Sequence, residues 1–276
     1  MTAIPAVLSI AGSDSGGGAG IQADLKAFAH AGVHGMTAIT ALTAQNTVGV
    51  TGVLPVPPDF IVEQVRAVQD DIGVDAVKIG MLGTAAIVHA VNEALDVLRP
   101  GTPIVIDPVM ISESGAVLLD DPALAALTDA LLPRATVITP NLPEARVLAA
   151  ADEDDDAEAL AHRLYALGPA VVIVTGGHRE EATDVLYDGD RIHHLAGERH
   201  PDGAAHGSGC THSSTLAARL ALGDTPLEAA RAAKYAAAEA VRNGLRDIGH
   251  GTGPVDVLGL TPGRSRSSHE ARVPGV

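Results

Sequence analysis

The sequence predicts an α/β fold in three layers, a mostly parallel central sheet flanked by helices with a small hairpin added. Two observations carry this. Short apolar runs alternate with helix-periodic segments for most of the 276 residues, which is how βαβ units read. Near 182–196, "ATDVLYDGDRIHHLA" breaks that rhythm with two alternating segments around Asp188-Gly189, a strong short-range hairpin signal.

Taken in order, a strand at Ala6–Ala11 leads through a glycine-rich loop into a helix near 21–31. A strand at 36–42 and a helix near 59–70 follow, then a strand at Ala76–Ile79 and a helix near 84–98. Strands at 103–106 and 136–139 flank a helix near 122–131, helices near 141–150 and 156–167 come next, and a strand at 170–175 precedes the hairpin. Two Ala-rich helices, near 210–222 and 225–243, close the pattern. "DEDDDAE" at 152–158 reads as a solvated acidic turn whose end favours a helix N-terminus. No repeat or interdomain linker interrupts the chain, so residues 1–260 are expected to form one domain. The polar, Gly/Pro/Ser-rich stretch 261–276 is expected to be a disordered tail.

Composition excludes several functions. The chain is 46% hydrophobic but has no Trp, two Phe and three Tyr, so its core is built of Ala, Val, Leu and Ile. A net charge of −16 repels nucleic acid and anionic membranes. One cysteine, Cys210, allows no intrachain disulfide and no multi-cysteine metal site. No leader pattern and no apolar run of membrane-spanning length is present, and a cytoplasmic small-molecule enzyme is the expectation.

Two glycine loops hold the chemistry. In "VLSIAGSDSGGGAGIQADLKAF" a strand enters a loop of five glycines and leaves as a helix. No Lys follows in the Walker position, and the Rossmann spacing from Gly16 and Gly18 ends at Ile21, so neither common nucleotide fingerprint is met. The loop still permits close backbone approach by a ligand at a strand end. The second loop, "HGSGCTHSSTLAARLA", runs from Gly207, Ser208 and Gly209 into a helix beginning near Cys210. Free N–H groups and the helix dipole make this an anion site, and a thiol at such a position is expected to have a lowered pKa. A nucleophile elbow fails, because Ser208 and His212 occupy its glycine positions. His206, Cys210 and His212 also suit zinc, but no fourth ligand is evident.

The motifs "AGSDSGGGAGIQADLKAF", "TALTAQNT", "KIGML", "DPVM", "TPNLPEA", "VTGGH" and "HGSGCT" occur in the order and spacing of one family. The chain resembles the hydroxymethylpyrimidine/phosphomethylpyrimidine kinases of thiamin biosynthesis, members of the ribokinase-like superfamily, over about residues 4–260. The resemblance implies an ATP- and Mg²⁺-dependent kinase that phosphorylates 4-amino-5-hydroxymethyl-2-methylpyrimidine and then its monophosphate. It implies that the first loop binds the pyrimidine, with Gly12, Ala19, Asp24, Met81 and Val109 lining the pocket and Gln45 reading the aminopyrimidine edge. A carboxamide offers the donor and acceptor that edge requires. It also places Asp107 and Glu144 near Mg²⁺, Asn141 and Thr175 at the triphosphate, and Gly207, Ser208, Gly209 and Cys210 at the transferred phosphoryl, with Cys210 as base. Related enzymes suggest a homodimer. Each carboxylate taken alone also reads as a helix cap or a solvated residue.

Two other readings remain open from the sequence: a pyridoxal kinase of the same superfamily, and a non-catalytic vitamin-binding protein. Three positions depart from the family pattern. Thr175 stands where Lys is usual, Ala205 and Ser208 where Thr is usual, and Glu113 where a basic or neutral residue is commoner.

Overall fold

The computed structural model describes residues 4–111, 115, 118–176, 182–201 and 203–260. Glu113 and the tail at 261–276 lie outside them. The first strand, β1 (Ala6–Ala11), is buried at every position, so its run AVLSIA shows no polar alternation, as for a strand covered on both faces. It leads to α1 (Gly20–Ala31) and then β2 (His34–Ile39), which pairs in parallel with β1.

The single strand expected at 36–42 is two strands. β2 ends at Ile39, and β3 (Ala41–Gln45) pairs antiparallel with β4 (Val50–Pro55) in a separate two-stranded sheet. Thr40 makes the break: its N–H donates to Ala11 O at 3.0 Å and its Oγ1 to Met81 O at 2.8 Å. These bonds fix the corner where the chain leaves the main sheet. β4 was not expected at all. Its last five residues are exposed, so burial wrote no pattern into "VTGVLP".

The next elements follow the predicted order: α2 (Pro58–Asp71), β5 (Ala76–Ile79), α3 (Ala85–Leu95) and β6 (Ile104–Ile106). The helix expected near 122–131 is α-helical only as α4 (Asp121–Ala126) and widens to a π turn over Leu127–Leu131. Then come β7 (Val137–Ile138), α5 (Leu142–Leu148), α6 (Ala157–Tyr165), β8 (Val171–Val174), β9 (Asp184–Tyr187) and β10 (Ile192–Leu195), with α7 (Ser208–Ala221) and α8 (Pro226–Arg242) last. Side-chain caps set many of the starts. Thr84, Asp120, Asp156 and Thr225 each accept from an amide in the first turn of the helix they precede. Asp156 ends the acidic run, which therefore terminates in a cap.

The main sheet has the order β10-β9-β8-β7-β6-β5-β1-β2. It is parallel from β2 to β8, and the hairpin around Asp188-Gly189 adds β9 and β10 antiparallel at the far edge. One face packs Val7, Ala76, Val105, Val137 and Val171 against Phe28, Leu216, Ala217 and Ala230 of α1, α7 and α8. The other packs Leu8, Ile10, Val77, Ile79, Ile106 and Ile138 against α2, α3, α5 and α6. Each fully buried Leu or Ile contributes ~1.5–3 kcal/mol of transfer free energy. No described helix is long and apolar enough to cross a membrane.

β1 has β2 on one side and β5 on the other, so the strand order reverses beside it. Ligands of open α/β sheets bind at such a reversal, outside the carboxyl ends of the strands.

Candidate active site

A cavity of about 440 Å³ opens at those carboxyl ends, within the range of small-molecule sites. The loop after β1 contributes Gly12 and Ala19, the end of β3 Gln45, and the loops after β5 and β6 Met81, Asp107 and Val109. Asn141 and Glu144 enter from the start of α5 and Thr175 from the end of β8. Gly207, Ser208, Gly209 and Cys210 close the wall from the start of α7.

Asp24 alone among the expected residues is not on this wall. It is fully buried, and its carboxylate accepts from Ser9 Oγ at 2.6 Å, Ser214 Oγ at 2.7 Å and Lys78 Nζ at 2.9 Å. A carboxylate saturated by three side chains behind the wall does not line a pyrimidine pocket.

The two glycine loops differ in what their amides do. In the first, Asp14 is enclosed: Oδ1 accepts from Gly16 N–H at 2.8 Å, and Oδ2 from Gly18 and Ala19 N–H at 3.0 and 2.8 Å. Burial works to raise the Asp14 pKa, but His206, with Nε2 2.9 Å from Oδ2, and these amides hold it below the ordinary value. The amides that would cradle a phosphate are therefore satisfied from within. The second loop lies directly against the first. Gly207 has φ 85°, and a Cβ there would come 1.8 Å from Gly18 O, so this contact admits only glycine.

At the start of α7, Ser208 N–H donates to Ala205 O at 2.9 Å and Thr211 N–H to Gly207 O. The first-turn amides of Gly209 and Cys210 are left for a ligand at the positive end of the helix dipole. The zinc alternative finds no support in this geometry. His206 faces Asp14, His212 Nε2 lies 3.6 Å from Asp184 Oδ2, and no cluster of three His, Cys, Asp or Glu able to hold a metal occurs among the described residues.

Beside α7, Asp107 follows β6 and Glu144 lies in the first turn of α5, and the two form a buried acidic pair. Asp107 Oδ2 accepts from Ser213 Oγ at 2.9 Å. Burial raises the Asp107 pKa against the pull of Lys78 and Ser213. Burial first, and then the charge of Asp107, push Glu144 up to about 7. Glu144 also caps α5. Its Oε2 accepts from Asn141 N–H at 3.0 Å, while Asn141 Oδ1 accepts from Glu144 N–H at 2.9 Å. The cap and the cavity wall are the same two residues.

Beyond Thr175, which bridges Asn141, the cavity continues to His212, Asp184 and Lys234. Asp184 Oδ1 accepts from Lys234 Nζ at 2.6 Å and Gly176 N–H at 2.7 Å. Burial opposes ionisation of Asp184, but His212 and Lys234 hold its pKa below the ordinary value. The sequence reading missed Asp14, Lys78, Asp184, Ser213 and Lys234. Lys78 carried a visible signal, a lone lysine inside the apolar strand AVKI.

Cys210 corrects an expectation. Its thiol is pushed up to about 12 by burial and by the charges of Asp24 and Asp107, which outweigh Lys78 and the Gly20 amide. The helix start alone suggested the opposite shift. Burial, with the two acids Asp24 and Asp107 adding to it, reverses that shift.

A buried acid pair and the start of a helix lining one cavity, on a sheet of this order, define an α/β enzyme that handles anionic groups on small molecules. Residues 14–256 match the family described as phosphomethylpyrimidine kinase. The chain is 46% identical over 258 residues to the hydroxymethylpyrimidine/phosphomethylpyrimidine kinase of Synechococcus elongatus, covering 92% of this chain and 97% of that one. It resembles the structure of the phosphomethylpyrimidine kinase from Clostridium difficile 630, at 40% identity and TM-score 0.74 over 84% of this chain and 96% of that one. The pyridoxal kinase from Staphylococcus aureus in complex with AMP-PCP and pyridoxal is similar at 35% identity and TM-score 0.84, over 94% of this chain and 95% of that one. This chain belongs to the phosphomethylpyrimidine kinase family, and its fold is ribokinase-like.

Proposed function

We propose that this enzyme transfers the γ-phosphoryl group of ATP to the hydroxymethyl oxygen of 4-amino-5-hydroxymethyl-2-methylpyrimidine, and then to the resulting monophosphate, in thiamin biosynthesis. The observation that carries this reading is the division of labour between the two glycine loops. The first has its amides occupied by Asp14 and suits a neutral ring. The second keeps the amides of Gly209 and Cys210 for a phosphoryl group. Gln45, on the cavity wall, orients the ring by its amino edge, with Gly12, Ala19, Met81 and Val109 around it.

Asp107 and Glu144 fit a divalent cation, because the charge of Asp107 opposes ionisation of Glu144 and a cation relieves that repulsion. They would hold Mg²⁺ through water, which that ion retains readily. When bound, Mg²⁺ neutralises phosphate charge. Asn141 and Thr175 sit beside the acids, where the triphosphate would lie, and the α7 amides stabilise charge that builds on the transferred group. With its thiol pushed up to about 12, Cys210 stays protonated near neutral pH and is not assigned the hydroxyl proton. That proton passes late to an oxygen of the transferred phosphoryl in a dissociative transition state.

The test is ADP release with ATP and Mg²⁺, comparing the pyrimidine alcohol, its monophosphate and pyridoxal as acceptors. The pyrimidine should give the highest kcat/KM. Preference for pyridoxal would transfer the reading to the other branch of the superfamily, and no ADP with any alcohol would leave a binding protein.

A further inference from the structure

Lys78 lies in the middle of a central parallel strand with its side chain fully buried. On the sheet face under α1 and α7, Val7, Ala76 and Val105 are apolar. Toward the carboxyl ends the same rows turn polar: Ser9 stands opposite Lys78 in register, and Asp107 lies two residues beyond Val105. Lys78 Nζ is 2.9 and 3.2 Å from the two oxygens of Asp24. Ser9 and Ser214 fill the remaining acceptor sites of that carboxylate. A Cβ at Gly80 would come 2.7 Å from Nζ, so the glycine of "KIGML" makes room for the ammonium.

A buried ion pair is weak grounds for stability, since an apolar replacement is often as stable. The orientation of this one is informative. Lys78 borders the cavity, whereas Asp24 lies behind it, so the pair is a dipole with its positive end toward the reacting centre. Burial acts to lower the proton affinity of Lys78, but Asp24, Cys210 and Asp107 together raise it, which places the ammonium within electrostatic reach of both groups on the wall.

We propose that Lys78 is the fixed cation of the transfer, a positioning residue that Asp24 holds from behind at the edge of the cavity and that acts through Cys210 and the start of α7 to stabilise negative charge arriving there. It makes no contact with substrate. Its charge is set before substrate binds and sits in a water-poor environment, the condition under which such a charge acts most strongly.

The test removes both charges together, so that no unpaired buried ion remains. In Lys78→Met/Asp24→Asn, kcat for the pyrimidine alcohol should fall about 10- to 100-fold, a loss comparable to or smaller than that of one direct oxyanion donor. KM for pyrimidine and ATP should stay within about threefold and the melting temperature close to wild type, because ground-state binding and packing do not need the charge. Wild-type kcat in the folded double variant would overturn the proposal. If the double variant does not fold, Lys78→Gln/Asp24→Asn retains polar groups at both sites and is judged by the same kcat criterion. The proposal rests on the kinase reading, and the two fail separately: an inactive wild type defeats that reading, whereas an active wild type with an equally active double variant defeats only the role of Lys78.

Discussion

Ser213 Oγ donates to Asp107 Oδ2 at 2.9 Å, tying the second turn of α7 to the end of β6. Ser214 Oγ donates in the same way to Asp24 Oδ1 at 2.7 Å, and His212 Nε2 lies 3.6 Å from Asp184 Oδ2. The consecutive residues His212, Ser213 and Ser214 thus point three ways from α7, each toward a different buried carboxylate. Ser213→Ala should leave the fold intact but free Asp107. A hydrogen bond to a charged group contributes ~1.5–3 kcal/mol, so the Mg²⁺ concentration for half-maximal rate should rise roughly tenfold or more. Mn²⁺ binding measured by electron paramagnetic resonance should weaken in parallel, and unchanged binding would detach Ser213 from the metal site.

Glu144 predicts a pH dependence of stability. Its carboxyl is raised from 4.5 to about 7 in the folded protein. The folded state therefore binds more protons than the unfolded state between those values, and stability falls as pH rises through that window. Two to three pKa units correspond to ~3 kcal/mol. Urea titrations of the metal-free protein at pH 5 and 7.5 should show this loss, and Glu144→Gln, which can keep the α5 cap, should remove most of it. An equal slope in the variant would assign the effect elsewhere.

The parallel strands were legible because burial on both faces writes them as uninterrupted apolar runs; β1 and β5 have the bounds that the sequence predicts. The β3–β4 sheet was not, because its exposed strands carry no such run and its corner depends on Thr40 reaching Ala11 and Met81. The cavity wall was legible through motifs. What lies behind it was not. The surroundings of Asp24 and the shift of Cys210 depend on burial and on charges brought together in three dimensions, which local sequence does not reveal.

Cys210 gives a direct check on that long-range effect. It is the only cysteine in the chain, so any thiol reagent reports on it alone. With the thiol pushed up to about 12, iodoacetamide should react slowly, with no inflection between pH 6 and about 10, where an ordinary thiol titrates. Cys210→Ala should then lower kcat by less than about tenfold, below the usual contribution of a general base, and to a similar degree for alcohol and monophosphate. An inflection near neutrality, or a loss confined to the alcohol, would restore Cys210 as the base.

Gln45 tests recognition of the ring. Its Oε1 lies 3.3 Å from Thr43 Oγ1, which holds the carboxamide at the end of β3. Gln45→Leu should raise KM for the pyrimidine by one to two orders of magnitude, following a cost of ~1–3 kcal/mol for unpaired buried polar groups, with KM for ATP unchanged. Unchanged pyrimidine KM would remove Gln45 from the pocket.

The central claim is that one cavity carries phosphoryl transfer to a pyrimidine alcohol and again to its product. A ³¹P NMR time course with enzyme, ATP, Mg²⁺ and 4-amino-5-hydroxymethyl-2-methylpyrimidine follows both transfers in a single tube. The account predicts a monophosphate ester signal that rises and then gives way to a diphosphate, with ADP accumulating in step. An ATP spectrum that stays constant in the presence of the alcohol would contradict it.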